Sequence, residues 1–138
     1  MITTDTPTNA DVFHAWVDRF NRRDFDGIIE LVDPDVVDHH LPPGLPPGRE
    51  GAMQWFRVLA GALDLRLVVE DTVESGDRVA VRAAITGTHV GEFAGIPATG
   101  RSFATTMISI ERIREGRLVE RWENVDNLAV VQQLSDDQ

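Results

Sequence analysis

Glu123 stands beside Trp122 in a run whose other members, Leu118, Val119 and Val125, are apolar. A carboxylate carried into an apolar cavity is costly to ionise, so its pKa rises. It can then take up or return a proton near neutral pH. The same residue also reads as a solvated strand glutamate paired with Arg121 or Arg112. Ser109 belongs to the alternating series Phe103, Thr105, Met107, Ser109. As a cavity hydroxyl it would touch substrate and donate a hydrogen bond to a carbonyl, stabilising an enolate. As an ordinary strand serine it would be satisfied by backbone.

Asp38, His39 and His40 are consecutive. Successive strand side chains point to opposite faces, so Asp38 and His40 can share a site while His39 and His40 do not. A metal would need a further ligand, His89 or Glu123, and no close spacing marks one. No metal is therefore expected. A cavity histidine instead serves as a proton shuttle. Which of the pair faces inward stays open: His40 is the candidate for proton transfer, His39 for substrate contact. His89, beside a loop, reads as an anchor for it, and His14 as a surface residue.

Trp16, Phe20, Trp55, Phe56, Phe93 and Met107 are the bulky candidates for a cavity wall, with Phe20, Trp55 and Met107 foremost. With Trp122 they would stack on a planar ligand. Equally, they suit a plain core. The chain has no cysteine and no tyrosine, and all 13 of its basic residues are arginine. Thiolate, phenolic and Schiff-base chemistries are excluded, and no cofactor is called for.

These residues must be positioned by the elements the pattern predicts. Thr8 or Asn9 caps a helix whose stripe is Val12, Phe13, Trp16, Val17 and Phe20. Asp24 caps a second that reaches Leu31 and is ended by Pro34. Val36 to His40 read as a strand, and Leu41 to Gly48, with four prolines, as a stiff loop. A third helix follows over Arg49 to Leu63. Strands are expected over Asp64–Glu74, Arg78–Val90, Ser102–Arg114 and Arg117–Val125. Turns lie at Ser75-Gly76-Asp77 and Glu115-Gly116. Leu128 to Leu134 form a terminal helix capped by Asp126. The 138 residues suffice for one domain, taken as 9–135, after a flexible stretch over 1–8. Helices first and antiparallel strands after give an α+β fold. Helices packed on a strongly curved, mostly antiparallel sheet enclose a cone-shaped barrel that suits a small molecule.

A net charge of −10 repels phosphate backbones and anionic lipid heads, which argues against nucleic-acid and membrane partners. The first residues lack the apolar core of a signal peptide. With no cysteine, this suits the cytoplasm.

Two segments resemble the SnoaL-like polyketide cyclases of the nuclear transport factor 2-like superfamily. One runs from Gly87-Thr88-His89-Val90-Gly91-Glu92-Phe93 to Arg101. The other is Gly116-Arg117-Leu118-Val119-Glu120-Arg121-Trp122-Glu123-Asn124-Val125-Asp126, followed by Gln132-Gln133-Leu134. The resemblance implies a cone-shaped fold, a homodimer or homotetramer, and metal-free intramolecular aldol closure of aromatic polyketides. It places the family's acid/base aspartate on Glu123 and its neighbouring histidine on Ser109. The expectation is thus a cofactor-independent enzyme moving protons on a small hydrophobic carbonyl compound, aromatic or polyketide-like, with aldol cyclisation foremost. A dehydratase, isomerase or hydrolase in the same pocket, a non-catalytic binder of hydrophobic metabolites, and a protein-interaction module are the alternatives.

Overall fold

The computed structural model describes residues 6–135. The expected flexible stretch over 1–8 falls largely on residues 1–5, outside the described residues, but Thr8 has a defined task. Its hydroxyl accepts the Asp11 N–H at 3.0 Å, and the Asp11 carboxylate accepts the Thr8 N–H at 3.0 Å. This reciprocal cap starts helix α1 (Asn9–Asn21), whose stripe Val12, Phe13, Trp16, Val17 and Phe20 is buried. Asp24 caps a short helix α2 (Phe25–Ile29).

Pro34 does not end α2 as its position suggested. The chain leaves the helix earlier, and Pro34 lies inside strand β1 (Val32–Asp38). A proline is tolerated there because β1 is an edge strand, with a partner on one side only. The proline-rich loop leads into α3 (Gly48–Leu63), and Asp64, in the left-handed region at φ 41°, turns the chain out of it. Gly51 of α3 lies so close to the loop that a Cβ would overlap the Pro46 carbonyl oxygen. The loop therefore seats directly on the helix.

Strands β2 (Arg66–Ser75), β3 (Arg78–Thr88), β4 (Ser102–Arg114) and β5 (Arg117–Val125) form an antiparallel meander, and β1 adds to β5 in parallel. The order is β1-β5-β4-β3-β2, an open mixed sheet rather than a closed barrel. Helix α1 lies on β2 and α3 on β1, while the terminal helix α4 (Asn127–Ser135) lies on β4. Asp126 caps α4 by accepting the Ala129 N–H at 3.1 Å. The helices cover one sheet face, where Val79, Val81, Ala83 and Ile85 of β3 are buried with Phe13, Phe20 and Phe56.

The β4–β5 hairpin carries a β-bulge. From the turn outward, Arg114 pairs with Arg117 and Ile113 with Leu118. One extra residue on β5 then shifts the register, so that Arg112 pairs with Glu120, Glu111 with Arg121 and Ser109 with Glu123. Because strand side chains alternate, this single insertion flips every later residue of β5 to the other face. Leu118 is inside, and so are Arg121 and Glu123.

The crossover from β3 to β4 is tied down by His89, which is fully buried. Its Nδ1 accepts the Thr99 N–H at 3.2 Å and lies 3.0 Å from the Thr99 hydroxyl. Its backbone pairs with Arg101 and Gly100. The loop so closed brings Phe93 and the exposed Ala94 to the cavity wall.

Candidate active site

Between the helices and the concave sheet face lies a cavity of about 360 Å³. That is the lower end of the range for small-molecule sites. Most of the wall is apolar: Trp16 and Phe20 from α1, Trp55 and Leu59 from α3, Phe103 and Met107 from β4. Trp16 stacks on Phe20 with ring centroids 5.5 Å apart and meets Phe56 edge-on at 5.1 Å. Trp55 leans on Phe93 at 6.2 Å, which joins α3 to the His89-anchored loop. Aromatic faces of this kind suit a flat ligand.

The polar part of the wall is concentrated on β5 and the end of β1. Glu123, Arg121 and His40 line the cavity there. The shifted register sets Arg121 opposite Glu111, and the parallel pairing sets it beside Asp38. Three carboxylates thus converge on one guanidinium. Glu111 takes it in a fork, with Nε–Oε1 at 2.9 Å and Nη2–Oε2 at 3.2 Å. Arg121 Nη1 donates to Asp38 Oδ2 at 3.3 Å and pairs with Glu123 Oε2 at 2.8 Å. The other Asp38 oxygen accepts the His40 N–H at 2.9 Å, which fixes the turn that presents His40.

Burial separates the members of this cluster. The side chains of Glu111, Asp38 and Arg121 are 0%, 1% and 5% exposed, and that of Glu123 is 13% exposed. Burial raises the pKa of Glu111, since no water supports its charge; the Arg121 charge opposes that rise without cancelling it. Burial works against the Arg121 charge as well, but Glu111, Glu123 and Asp38 outweigh it and hold the guanidinium more firmly protonated than usual. Glu123 is paired with an arginine, as one reading of the sequence had it, but it is not a solvated strand residue. It reaches an apolar cavity, yet its charge is matched by Arg121 rather than left in apolar surroundings.

Among the other candidates, Trp16, Phe20, Trp55 and Met107 stand in the cavity wall, as does His40. Ser109, His39 and Trp122 do not line it. Ser109 is on the concave face, opposite Glu123 in the ladder, but is buried without reaching the cavity. Its hydroxyl is near enough to favour the Glu111 charge but is in hydrogen-bond geometry with no described residue. Trp122 follows Arg121 on β5 and, by alternation, must face the opposite side. There it stacks on His39, centroids 5.1 Å apart, while His39 Nε2 lies 2.7 Å from Glu120 Oε2. His14 is exposed on α1. Glu111 is the member that no sequence pattern singled out, and Arg121 was expected only as a partner of a solvated Glu123, not as a cavity residue. The signal for them was the same alternation, continued two residues from Glu123 and two from Ser109.

The model of the SnoaL-like polyketide cyclase family matches residues 10–134. Aklanonic acid methyl ester cyclase DnrD of Streptomyces peucetius is 27% identical over 134 residues, covering 94% of this chain and 92% of its own. Nogalonic acid methyl ester cyclase of Streptomyces nogalater is 27% identical over 124 residues, covering 87% and 92%. The crystal structure of wild-type IdmH from Streptomyces antibioticus superposes with a TM-score of 0.81 at 36% identity, covering 94% of this chain and 99% of that one.

Proposed function

Since the chain belongs to the SnoaL-like polyketide cyclase family, we propose that its cavity closes a ring in a polyketide carbonyl compound by intramolecular aldol condensation. The observation that carries this reading is a carboxylate, Glu123, reaching an aromatic-walled cavity from a rigid strand. Aldol closure needs a base for a carbon-bound proton and an acid for the alkoxide formed at the new bond. Glu123 serves both in turn. One of its oxygens is held by Arg121 and the other, Oε1, bonds to no described residue, so it is free to meet the substrate. His40, on the same wall, assists proton exchange at the polar end. Trp16, Phe20, Trp55 and Met107 hold the flat body of the substrate by stacking and burial, which orients the reacting atoms.

The test uses aklanonic acid methyl ester, named for one relative's reaction. Glu123→Gln should lower kcat by about 100-fold or more, the range expected for loss of an acid/base group, with the circular dichroism spectrum unchanged. Retained turnover in that variant removes Glu123 from the reaction. Binding of the ester without turnover in the unmodified protein makes the chain a carrier instead.

The outer sheet face supports pairing with a second copy. Ile108, Ile110 and Val37 stand exposed on β4 and β1 around the half-buried Trp122. Apolar side chains grouped on an open sheet mark an interface. Sedimentation should give twice the chain mass, falling to the chain mass when Ile108→Glu and Ile110→Lys are combined; a monomer before substitution overturns the pairing.

A further inference from the structure

Arg121 spends its hydrogen bonds in an uneven way. Of the five N–H groups of a guanidinium, the Nε–H and one on Nη2 go to Glu111, and Nη1 faces Asp38 and Glu123. One Nη2 hydrogen has no acceptor among the described residues. The guanidinium also lies 5.8 Å over the ring of Trp16, in the cavity wall. Glu111, by contrast, touches no cavity surface and has both oxygens occupied by Arg121. A fully buried carboxylate is expensive to keep charged, so a two-pronged grip on a cavity arginine asks for a reason.

We propose that Arg121 supplies the positive charge that stabilises the substrate oxyanion, and that Glu111 is the positioning residue that fixes it there. The inference rests on Glu123 being the base. In the first step Glu123 Oε1 takes the proton next to the substrate carbonyl. The C–H bond breaks, an O–H bond forms, and the electron pair moves onto the carbonyl oxygen. Glu123 becomes neutral as that oxygen becomes negative. Arg121 Nη1 is thereby released from Glu123 and pairs with the enolate oxygen. When the enolate carbon attacks the second carbonyl, the first carbonyl re-forms and the new alkoxide takes the proton back from Glu123. Arg121 then returns to Glu123. Such a change of partner favours the transition state over the bound substrate, which is what accelerates a reaction. It works only if the guanidinium stays in place while its cavity partner loses charge. The Glu111 fork, reinforced by Asp38, provides that anchorage from behind.

Arg121→Ala leaves a hole walled by Glu111, Asp38 and Glu123, which guanidinium ion can refill. Millimolar guanidinium should raise the Tm of this variant by a few degrees, as a ligand of the folded state does, and restore at least tenfold of its lost kcat. In Arg121→Ala combined with Glu111→Gln both responses should vanish, because an amide cannot offer two acceptors to the fork. Equal responses in the double variant overturn the role of Glu111. Equal rescue by ethylammonium overturns the need for a forked cation. The Tm response needs no turnover, so it stands or falls apart from Glu123→Gln, which alone decides the acid/base reading. If Arg121→Ala does not fold, Glu111→Gln serves by itself: kcat should fall about tenfold with KM held within about twofold. An unchanged kcat, or kcat and KM altered together, removes Glu111 as a positioning residue.

Discussion

Strand β5 carries two arginine–carboxylate groupings, one on each face, and they live in different solvents. On the concave face Arg121 sits among Glu111, Asp38 and Glu123, with almost no water. On the convex face Arg112 pairs with Glu120 at 3.0 Å and lies over Trp122, with Asp77 at 3.6 Å and His39, in the turn after β1, closing the group. The residue types are nearly the same. What differs is the dielectric, and with it the use. In the single chain the convex-face charges are partly hydrated, so their pairing contributes little and can be changed at small cost. Concave-face charges have given up hydration and depend on each other entirely. A substrate oxygen arriving there meets undiluted charge; the same oxygen on the outer face would meet water.

Substitution should separate the two groupings most plainly in stability. Arg121→Met strands buried carboxylates and should cost about 3–5 kcal/mol in chemical denaturation. Arg112→Met removes a partly exposed pair and should cost about 1 kcal/mol or less. Equal losses would mean that burial does not distinguish the faces.

Acid and base titration sharpens the contrast with smaller effects of opposite sign. Glu111 binds its proton more readily folded than unfolded, because of its burial. Between the ordinary glutamate value and its raised one the folded state holds the extra proton, so this residue lowers stability as pH rises. Asp77 behaves in the other direction. The Arg114 hydrogen bond, at 2.9 Å, and the nearby arginines hold its pKa below the usual aspartate value. It stabilises the fold above the ordinary value, and that contribution disappears as pH falls through the lowered one. Stability measured against pH should therefore lose part of its downward slope above pH 4.5 in Glu111→Gln. In Asp77→Asn it should lose part of its acid limb, by a smaller amount, since Asp77 is solvated.

Much of this was readable from residues alone. The stripe of α1, the turns at Gly76 and Gly116, and the bounds of β4 and β5 follow from period and turn chemistry that local sequence sets directly. So does the capping role of Asp126. The placement of Pro34 was not readable, since a proline inside a strand is allowed only at an edge, and edges are a property of the whole sheet. Nor could local pattern place Trp122 and Glu123 correctly together. Both were assigned to the cavity, though neighbours on a strand cannot share a face. Counting from the Gly116 turn without the bulge would have put Glu120 and Trp122 inside and Arg121 and Glu123 outside. Arginine and glutamate are, besides, the residues least expected in a dry interior, so nothing in the composition of β4 flagged Glu111.

The bulge next to Val119 divides β5 into two reading frames. Ahead of it Leu118 belongs to the packing of the hairpin base; past it the strand is read one letter over, in the frame that delivers ionisable groups to the cavity. Deleting Val119 would only make the pairing regular: Arg112 would still face Glu120, Glu111 would still face Arg121, and the same side chains would still enter the cavity. Straightening the strand with Val119 kept in it would do the opposite, turning the indole and Glu120 inward and the guanidinium and the acid at 123 outward. What the cavity displays therefore depends on one residue being set aside from the ladder, a condition on the backbone that substitution of the lining residues cannot meet.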